Sequence, residues 1–92
     1  MDNEFIKYNI GKLRYDLIPT SATKELAKAL TYGATKYPPN NWKKCKDKNV
    51  YIAALYRHLE QWRSGEEIDQ ESGLSHLSHA ITNIAFLIEL FH

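Results

Sequence analysis

Apolar residues recur at intervals of three and four positions in three stretches of the chain, which is the spacing of one face of an α-helix. The first stretch covers residues 20–35, where Thr20 or Ser21 can cap the start of a helix. Its apolar face is formed by Ala22, Leu26, Ala29, Leu30 and Gly33. Because Pro38 and Pro39 cannot continue a helix, the pattern predicts a helix over 20–35.

Two further helices follow a polar connection over residues 36–49, whose prolines, asparagines and lysines are typical of a loop. The second pattern predicts a helix over 50–64, which Ser64 and Gly65 should end. The third pattern predicts a helix over 73–91. The apolar positions are Ile52, Leu55, Tyr56, Leu59 and Trp62 in the second helix and Leu74, Leu77, Ile81, Ile84, Ile88 and Phe91 in the third.

The third helix carries further apolar residues outside this face, so it has almost no polar side. They are Ala80, Ala85, Phe86, Leu87 and Leu90. A helix that is apolar all round must be buried all round, and two other short helices are too few to surround it. Residues 1–19 show neither helical nor alternating periodicity, and we expect them to form an arm. The chain is therefore predicted to be all-α, a small helical bundle of about three helices with an N-terminal arm, completed by oligomerisation as a dimer or tetramer.

Length and charge narrow the classes of function. The 92 residues allow a single domain over 1–92. A net charge of +1, from 12 basic and 11 acidic residues spread along the chain, argues against a nucleic-acid polymer as partner. No apolar run approaches the roughly 20 residues that span a bilayer, and the first residues do not resemble a signal peptide. We therefore expect a cytoplasmic protein with no membrane partner, and the single cysteine, Cys45, excludes an internal disulfide.

The third predicted helix carries a polar stripe formed by His76, His79 and Asn83, at intervals of three and four residues. Two histidines about one helical turn apart can share a metal ion or a phosphate group. Alternatively, both are partly buried histidines whose ring nitrogens are satisfied by hydrogen bonds. The stripe alone does not decide between these two interpretations.

The second predicted helix adds Arg57, His58 and Glu60 beside its apolar face. We expect these three residues to converge with the polar stripe of the third helix in one cavity. Arg57 can meet phosphate oxygens, and nearby carboxylates can hold magnesium, which prefers oxygen ligands to imidazole. The candidate metal ligands are Glu60, Glu66, Asp69 and Glu71.

The predicted loop contributes aromatic and amide groups. Tyr37 and Trp42 can stack on a base, and Asn41 can form hydrogen bonds with it. Alternatively, Trp42 only anchors the loop on the core. The sequence contains none of the common glycine-rich phosphate loops, and no histidine is followed by aspartate, which disfavours a phosphohydrolase of the HD type.

Three segments of the chain resemble a family of phage dATP/dGTP diphosphohydrolases. They are Gly11–Pro19, Gly33–Tyr37 with Asn41–Trp42, and Arg57–Asn83, which contains the pattern RHxxxWxxGExxDxESGxxHxxHAxxN. That family is related to the MazG-like all-helical nucleotide pyrophosphohydrolases. MazG-like enzymes assemble as dimers or tetramers and use magnesium to cleave nucleoside triphosphates between the α and β phosphates.

The resemblance implies a MazG-like domain that converts dATP or dGTP to the monophosphate and pyrophosphate, in the host cytoplasm if the chain is phage-encoded. The expected ligand is a small nucleotide, and the cofactor of such an enzyme is Mg²⁺. The catalytic candidates are His76, His79 and Glu60. The nucleotide-binding candidates are Lys12, Arg14, Lys36, Tyr37, Asn41, Trp42, Arg57, His58 and Asn83. The alternative for Lys12 and Arg14 is that they are solvated cations of the arm.

The chain departs from the MazG-like pattern at the metal ligands. Those enzymes hold magnesium with carboxylates on two helices, and the matching positions here fall near Arg57 and His58 and on His76 and His79. This departure leaves open a catalytically inactive protein that sequesters a nucleotide immune messenger, an anti-defence role that needs no cofactor. A helical assembly module without a nucleotide is a third possibility.

Overall fold

The computed structural model describes residues 4–92, and residues 1–3 of the predicted arm lie outside the described residues. Three α-helices form the fold, α1 at Thr20–Lys36, α2 at Lys48–Arg63 and α3 at His76–Phe91. Within residues 4–92 the only bridge of the β type is an isolated one between Ile68 and Ser75. The predicted all-α class with about three helices is therefore confirmed.

α3 lies at the centre of the fold because α1 and α2 each pack against it and do not contact each other. The contacting face of α3 is formed by small and polar side chains, and its buried residues are His76, Ser78, Ala80, Thr82 and Asn83. Among the described residues, the buried apolar side chains are Ala29 of α1 and Ala80 of α3 alone. The two outer helices consequently leave a groove between them, above α3.

α3 begins at His76, so the predicted start at residue 73 is wrong. The preceding residues form an ordered turn, because the Asp69 carboxylate accepts hydrogen bonds from the Ser72 backbone N–H and hydroxyl at 2.9 and 2.7 Å. Gly73 has a φ of +74°, a left-handed conformation that a helix cannot include. Ser75 then caps the helix by accepting from the Leu77 N–H at 3.1 Å.

The other helix bounds differ from the prediction by one or two residues. α2 begins at Lys48 rather than at residue 50 because the Asp47 side chain caps it, accepting from the Asn49 N–H. α1 starts after Pro19 with no side-chain cap, so neither Thr20 nor Ser21 caps it as predicted. The predicted loop also contains a short 3-10 helix at Asn41–Lys44, and a second such helix occupies Tyr15–Leu17 in the arm.

Many large apolar side chains remain exposed in the single chain. On α3, 43% of Ile84 and 63% of Ile88 are accessible to solvent. In the arm, residues 4–19 are exposed throughout. The radius of gyration is 17.3 Å, well above the roughly 12 Å expected of a compact domain of this length. None of the helices within residues 4–92 has the length and apolarity needed to cross a bilayer.

Candidate functional site

The groove between α1 and α2 holds a cavity of about 680 Å³. This volume lies within the range of roughly 300–1,000 Å³ that is usual for small-molecule sites. Its floor is α3, along which His79, Asn83 and Phe86 succeed one another. Since α-helices rise about 1.5 Å per residue, His79 and Phe86 mark two ends of the cavity roughly 10 Å apart.

The end near Phe86 is aromatic. The Trp42 ring stacks on Phe86 at a centroid distance of 4.7 Å and an angle of 16°. Tyr51 contacts the same ring at 5.0 Å, and its hydroxyl donates to the Trp42 carbonyl at 3.1 Å. Burial raises the pKa of Tyr51 to about 12. Trp42 therefore anchors the loop on α3, as one interpretation of the sequence expected, and also lines the cavity.

The other end is built from histidines and carboxylates. The Nδ1 atoms of His58 on α2 and His76 on α3 lie 2.9 Å apart. His76 is 1% exposed, and its Nε2 lies 2.7 Å from Glu66 Oε1. An ionised carboxylate only accepts, so opposite it the His76 Nε2 carries hydrogen. In the neutral ring Nδ1 is then unprotonated and accepts from His58.

His79 belongs to a separate chain of hydrogen bonds. Its Nε2 lies 2.7 Å from Ser72 Oγ, and the Ser72 hydroxyl donates to Asp69 Oδ2 at 2.7 Å. Because the hydroxyl has a single hydrogen, the Ser72 oxygen accepts from His79 Nε2. His79 also stacks on His58 at a centroid distance of 4.6 Å. The turn before α3 thus fixes the orientation of His79.

Burial lowers the pKa of both His58 and His79, and Asp69 partly opposes this shift in each. For Asp69 itself, burial alone would raise the pKa, but the hydrogen bonds from Ser72 outweigh it, and the net pKa is lowered. At neutral pH the two histidines are consequently uncharged beside an ionised Asp69. They can accept protons or bind a metal ion, but they do not act as cations that attract phosphate.

The four carboxylates predicted as metal ligands have four different partners. Glu60 pairs with Arg63 at 2.8 Å on the exposed side of α2, and Glu71 pairs with Lys36 at 2.6 Å. Glu66 is hydrogen-bonded to His76, and Asp69 is hydrogen-bonded to Ser72. Two of the four, Asp69 and Glu71, line the cavity.

Most of the predicted nucleotide-binding residues line the cavity. They are Lys36, Tyr37, Asn41, Trp42, His58 and Asn83, and the predicted catalytic residue His79 lines it as well. His76 is buried behind His58, while Arg57 and Glu60 are exposed and do not line the cavity. Lys12 and Arg14 lie in the exposed arm, where Arg14 pairs with Asp16 at 2.7 Å. The expected convergence in one cavity therefore holds for His58, His79 and Asn83. His76 contacts His58 from behind the cavity, and Arg57 and Glu60 lie outside it.

Sequence reasoning missed several residues that shape the site. Ser72 orients His79, and Tyr51 and Phe86 build the aromatic end. The spacing Asp69-x-x-Ser72 followed by glycine is a turn signal that identifies the first of these. Tyr51 and Phe86 occupy apolar helix positions, and no sequence signal distinguishes them from core residues.

Three side chains of the polar end have the donor atoms of a metal site. His58, Asp69 and His76 each offer one ligand atom, and these atoms lie within 4.8 Å of one another. Imidazole nitrogen suits zinc, iron, copper and nickel, whereas magnesium requires oxygen ligands. A set of two imidazoles and one carboxylate does not fit the magnesium ion that the family resemblance implies.

Comparison with known proteins agrees with the resemblance noted in the sequence. The family model described as "dATP/dGTP diphosphohydrolase, N-terminal" matches residues 2–92. The dATP/dGTP diphosphohydrolase of Salmonella phage PMBT28 is 32% identical over 87 residues, which cover 95% of this chain and 30% of that protein. The chain thus spans about a third of the length of this relative. No solved structure matches the present chain. With a family model matched over nearly its whole length, the chain belongs to the dATP/dGTP diphosphohydrolase N-terminal domain family.

Proposed function

We propose that this chain binds and hydrolyses a purine deoxynucleoside triphosphate, converting dATP or dGTP to the monophosphate and pyrophosphate. The observation that carries this proposal is the 680 Å³ cavity, which joins an aromatic end to an end of histidines and carboxylates. A nucleotide has the same division, with a flat base at one end and phosphates at the other. The name of the phage relative, dATP/dGTP diphosphohydrolase, supplies the substrate class and the type of reaction.

The aromatic end is suited to the base. Trp42 is held by Phe86 beneath it and by the Tyr51 hydroxyl, so its ring is fixed before a ligand enters. Base stacking on aromatic side chains contributes about 1–3 kcal/mol, and a fixed ring loses little entropy on binding. Tyr37 and Asn41 also line the cavity and can add a second ring and an amide.

The polar end is suited to the phosphates and the attacking water. Lys36 lines it and meets Glu71 at 2.6 Å, so an entering phosphate group would compete with that carboxylate for the ammonium group. His79 is neutral at pH 7 because burial lowers its pKa. Since its Nε2 donates to Ser72, the atom that can take a proton from water is Nδ1. Glu60 and Arg57 lie outside the cavity, and we give them no part in the reaction.

We assign magnesium no role in this reaction, because the four carboxylates predicted as its ligands do not meet at one site. His76 is too deeply buried to meet a nucleotide, so its part is to position His58. The chemistry that these residues can perform themselves is binding, orientation and proton transfer at His79.

We also propose that the chain associates with copies of itself as a dimer or tetramer. Leu77, Ile84 and Ile88 lie on one face of α3 and are 39%, 43% and 63% exposed. An apolar face of this kind is uncommon on a stable monomer. With so few buried apolar residues among those described, a second copy would supply the missing core.

The test is a turnover assay on the purified chain. Incubation with dATP or dGTP and a divalent metal should yield monophosphate and pyrophosphate, separated by ion-exchange chromatography. His79→Gln should abolish product, while His92→Gln, a histidine at the end of α3 outside the cavity, should leave turnover unchanged. Binding of dATP without any product under all metals would refute hydrolysis by this chain, and absence of binding would refute the nucleotide assignment as well.

A further inference from the structure

Among the described residues, one group of side chains has the donor atoms to hold a metal ion, and it combines one predicted carboxylate with two histidines: Asp69, His58 and His76. Their ligand atoms lie within 4.8 Å of one another. The residues come from three different elements, α2, the turn before α3 and the first position of α3. We propose that these three side chains bind a divalent transition-metal ion, of the class that includes Fe²⁺, Co²⁺, Ni²⁺ and Zn²⁺.

The distances between the donors suit a shared ion. Two nitrogens bound to one metal at about 2.0–2.1 Å are separated by about 3.0 Å at a right angle and about 3.4 Å at a tetrahedral angle. The Nδ1 atoms of His58 and His76 are 2.9 Å apart, so a small rotation of the half-buried His58 ring brings them to a coordinating separation. The ion would replace the single hydrogen that the two rings share.

Glu66 supplies the outer contact that metal-binding histidines usually have. A ligating histidine typically donates its second ring N–H to a carboxylate, which fixes the tautomer and makes the ligating nitrogen more basic. His76 Nε2 lies 2.7 Å from Glu66 Oε1, which leaves the His76 Nδ1 lone pair directed at His58. His76 therefore has its tautomer set for ligation.

The backbone holds the cluster in place without an ion. The His76 N–H donates to the Glu67 carbonyl at 2.9 Å, and the Asp69 N–H donates to the Leu74 carbonyl at 2.8 Å. These bonds tie the turn that carries Asp69 to the start of α3. A site that is organised before binding loses less free energy in ordering its ligands.

The site opens toward the nucleotide cavity. His58 and Asp69 line that cavity, while His76 forms the buried side of the cluster. Three protein ligands leave at least one coordination position for water or a substrate oxygen, as in catalytic rather than structural metal sites. The metal proposal stands on the cluster geometry and does not depend on the proposed hydrolysis.

The experiment measures metal binding directly. The full chain is freed of metal with a chelator and titrated with Co²⁺ and Mg²⁺ in separate calorimetric experiments, and visible absorption reports the Co²⁺ complex. We expect one Co²⁺ per chain, bound at least about tenfold more tightly than Mg²⁺. Equal affinity for Co²⁺ and Mg²⁺, or no bound Co²⁺, would overturn the proposal.

Variants assign the ligands. His58→Gln, at a half-buried position that should tolerate the change, is expected to remove the Co²⁺ absorption bands, and Glu66→Gln should weaken binding about 10–100-fold. His92→Gln is the matched control and should bind Co²⁺ as the unchanged chain does. Circular dichroism checks that each variant is folded. Unaltered Co²⁺ spectra in a folded His58→Gln variant would refute the site, whereas metal binding without nucleotide turnover would refute only the proposed hydrolysis.

Discussion

His58 and His76 are 18 residues apart in sequence, yet their Nδ1 atoms lie 2.9 Å apart across the contact between α2 and α3. At this distance only one of the two atoms can carry hydrogen. Burial and the neighbouring His79 lower the pKa of His58. Since burial also lowers the pKa of His79, the charge at this end of the cavity comes from Asp69, Glu71 and Lys36 rather than from His58 and His79.

A buried hydroxyl connects α1 to α3 and should be needed for stability. Ser78 on α3 is fully buried, and its hydroxyl donates to Glu25 Oε1 on α1. Ser78→Ala removes this bond to a charged carboxylate and should lower the free energy of unfolding by about 1.5–3 kcal/mol, measured by urea denaturation. Ser21→Ala, at an exposed position in the first turn of α1, is the control and should change it by less than about 0.5 kcal/mol. Equal values for the two variants would contradict this role.

The same contact predicts the direction of acid destabilisation. Hydrogen bonds from Ser78 and Lys28 hold the pKa of Glu25 below its ordinary value of 4.5. The unfolded chain therefore binds a proton more readily than the folded one, so the stabilisation is present above pH 4.5 and is lost as pH falls through the folded pKa. Glu25→Gln should flatten the fall of the urea midpoint below pH 4.5. If the urea midpoint of Glu25→Gln falls with pH as steeply as that of the unchanged chain, Glu25 is not the cause of the acid destabilisation.

The helical class follows from the sequence because helical spacing is a local property. Leu55 and Leu59, or Ile81 and Ile84, share a face in any α-helix, whatever the surrounding fold. The apolar pattern places the start of α3 three residues too early. Those residues form a turn instead, and that turn depends on a side-chain hydrogen bond. Asp69 caps the turn at Ser72, and the apolar pattern at Leu74 contains no information about that bond.

The site was predictable to the extent that helix faces determine it. His58, His79 and Asn83 stand out as polar residues beside apolar faces, and all three line the cavity. The pairing of His58 with His76 depends on how α2 crosses α3, which no spacing within one helix specifies. From the sequence we expect Arg57 to enter the cavity with His58, but adjacent residues point about 100° apart around a helix, and Arg57 is exposed.

Tyr51 should report on the aromatic end through its ionisation. Burial raises its pKa to about 12, whereas an unfolded tyrosine ionises near 10.0. The unfolded chain thus releases this proton first, and the stabilisation from neutral Tyr51 is lost as pH rises from about 10 toward 12. Absorbance near 295 nm should show a late ionisation that disappears in Tyr51→Phe. A titration of Tyr51→Phe that retains the late step would assign it to another tyrosine.

Self-association should depend on the exposed face of α3. Ile88 is 63% exposed on this face, and Ile88→Glu would place a charge in an apolar interface. We expect the unchanged chain to elute as a dimer or tetramer in size-exclusion chromatography with light scattering, and Ile88→Glu to shift toward the monomer. Lys44→Glu, an exposed change in the loop, should leave the mass unchanged. A monomeric unchanged chain would refute assembly through this face.

Trp42 provides the sharpest test of where the nucleotide binds, because the chain has a second tryptophan as an internal control. Trp42 lines the cavity, whereas Trp62 near the end of α2 does not and is 42% exposed. A base stacked on Trp42 should quench its fluorescence, so dATP should quench the Trp62→Phe variant and leave Trp42→Phe nearly unaffected. Trp42→Ala should weaken binding by about 1–3 kcal/mol, or about 5- to 150-fold in the dissociation constant. The opposite pattern, with quenching retained in Trp42→Phe and lost in Trp62→Phe, would move the ligand out of the groove between α1 and α2.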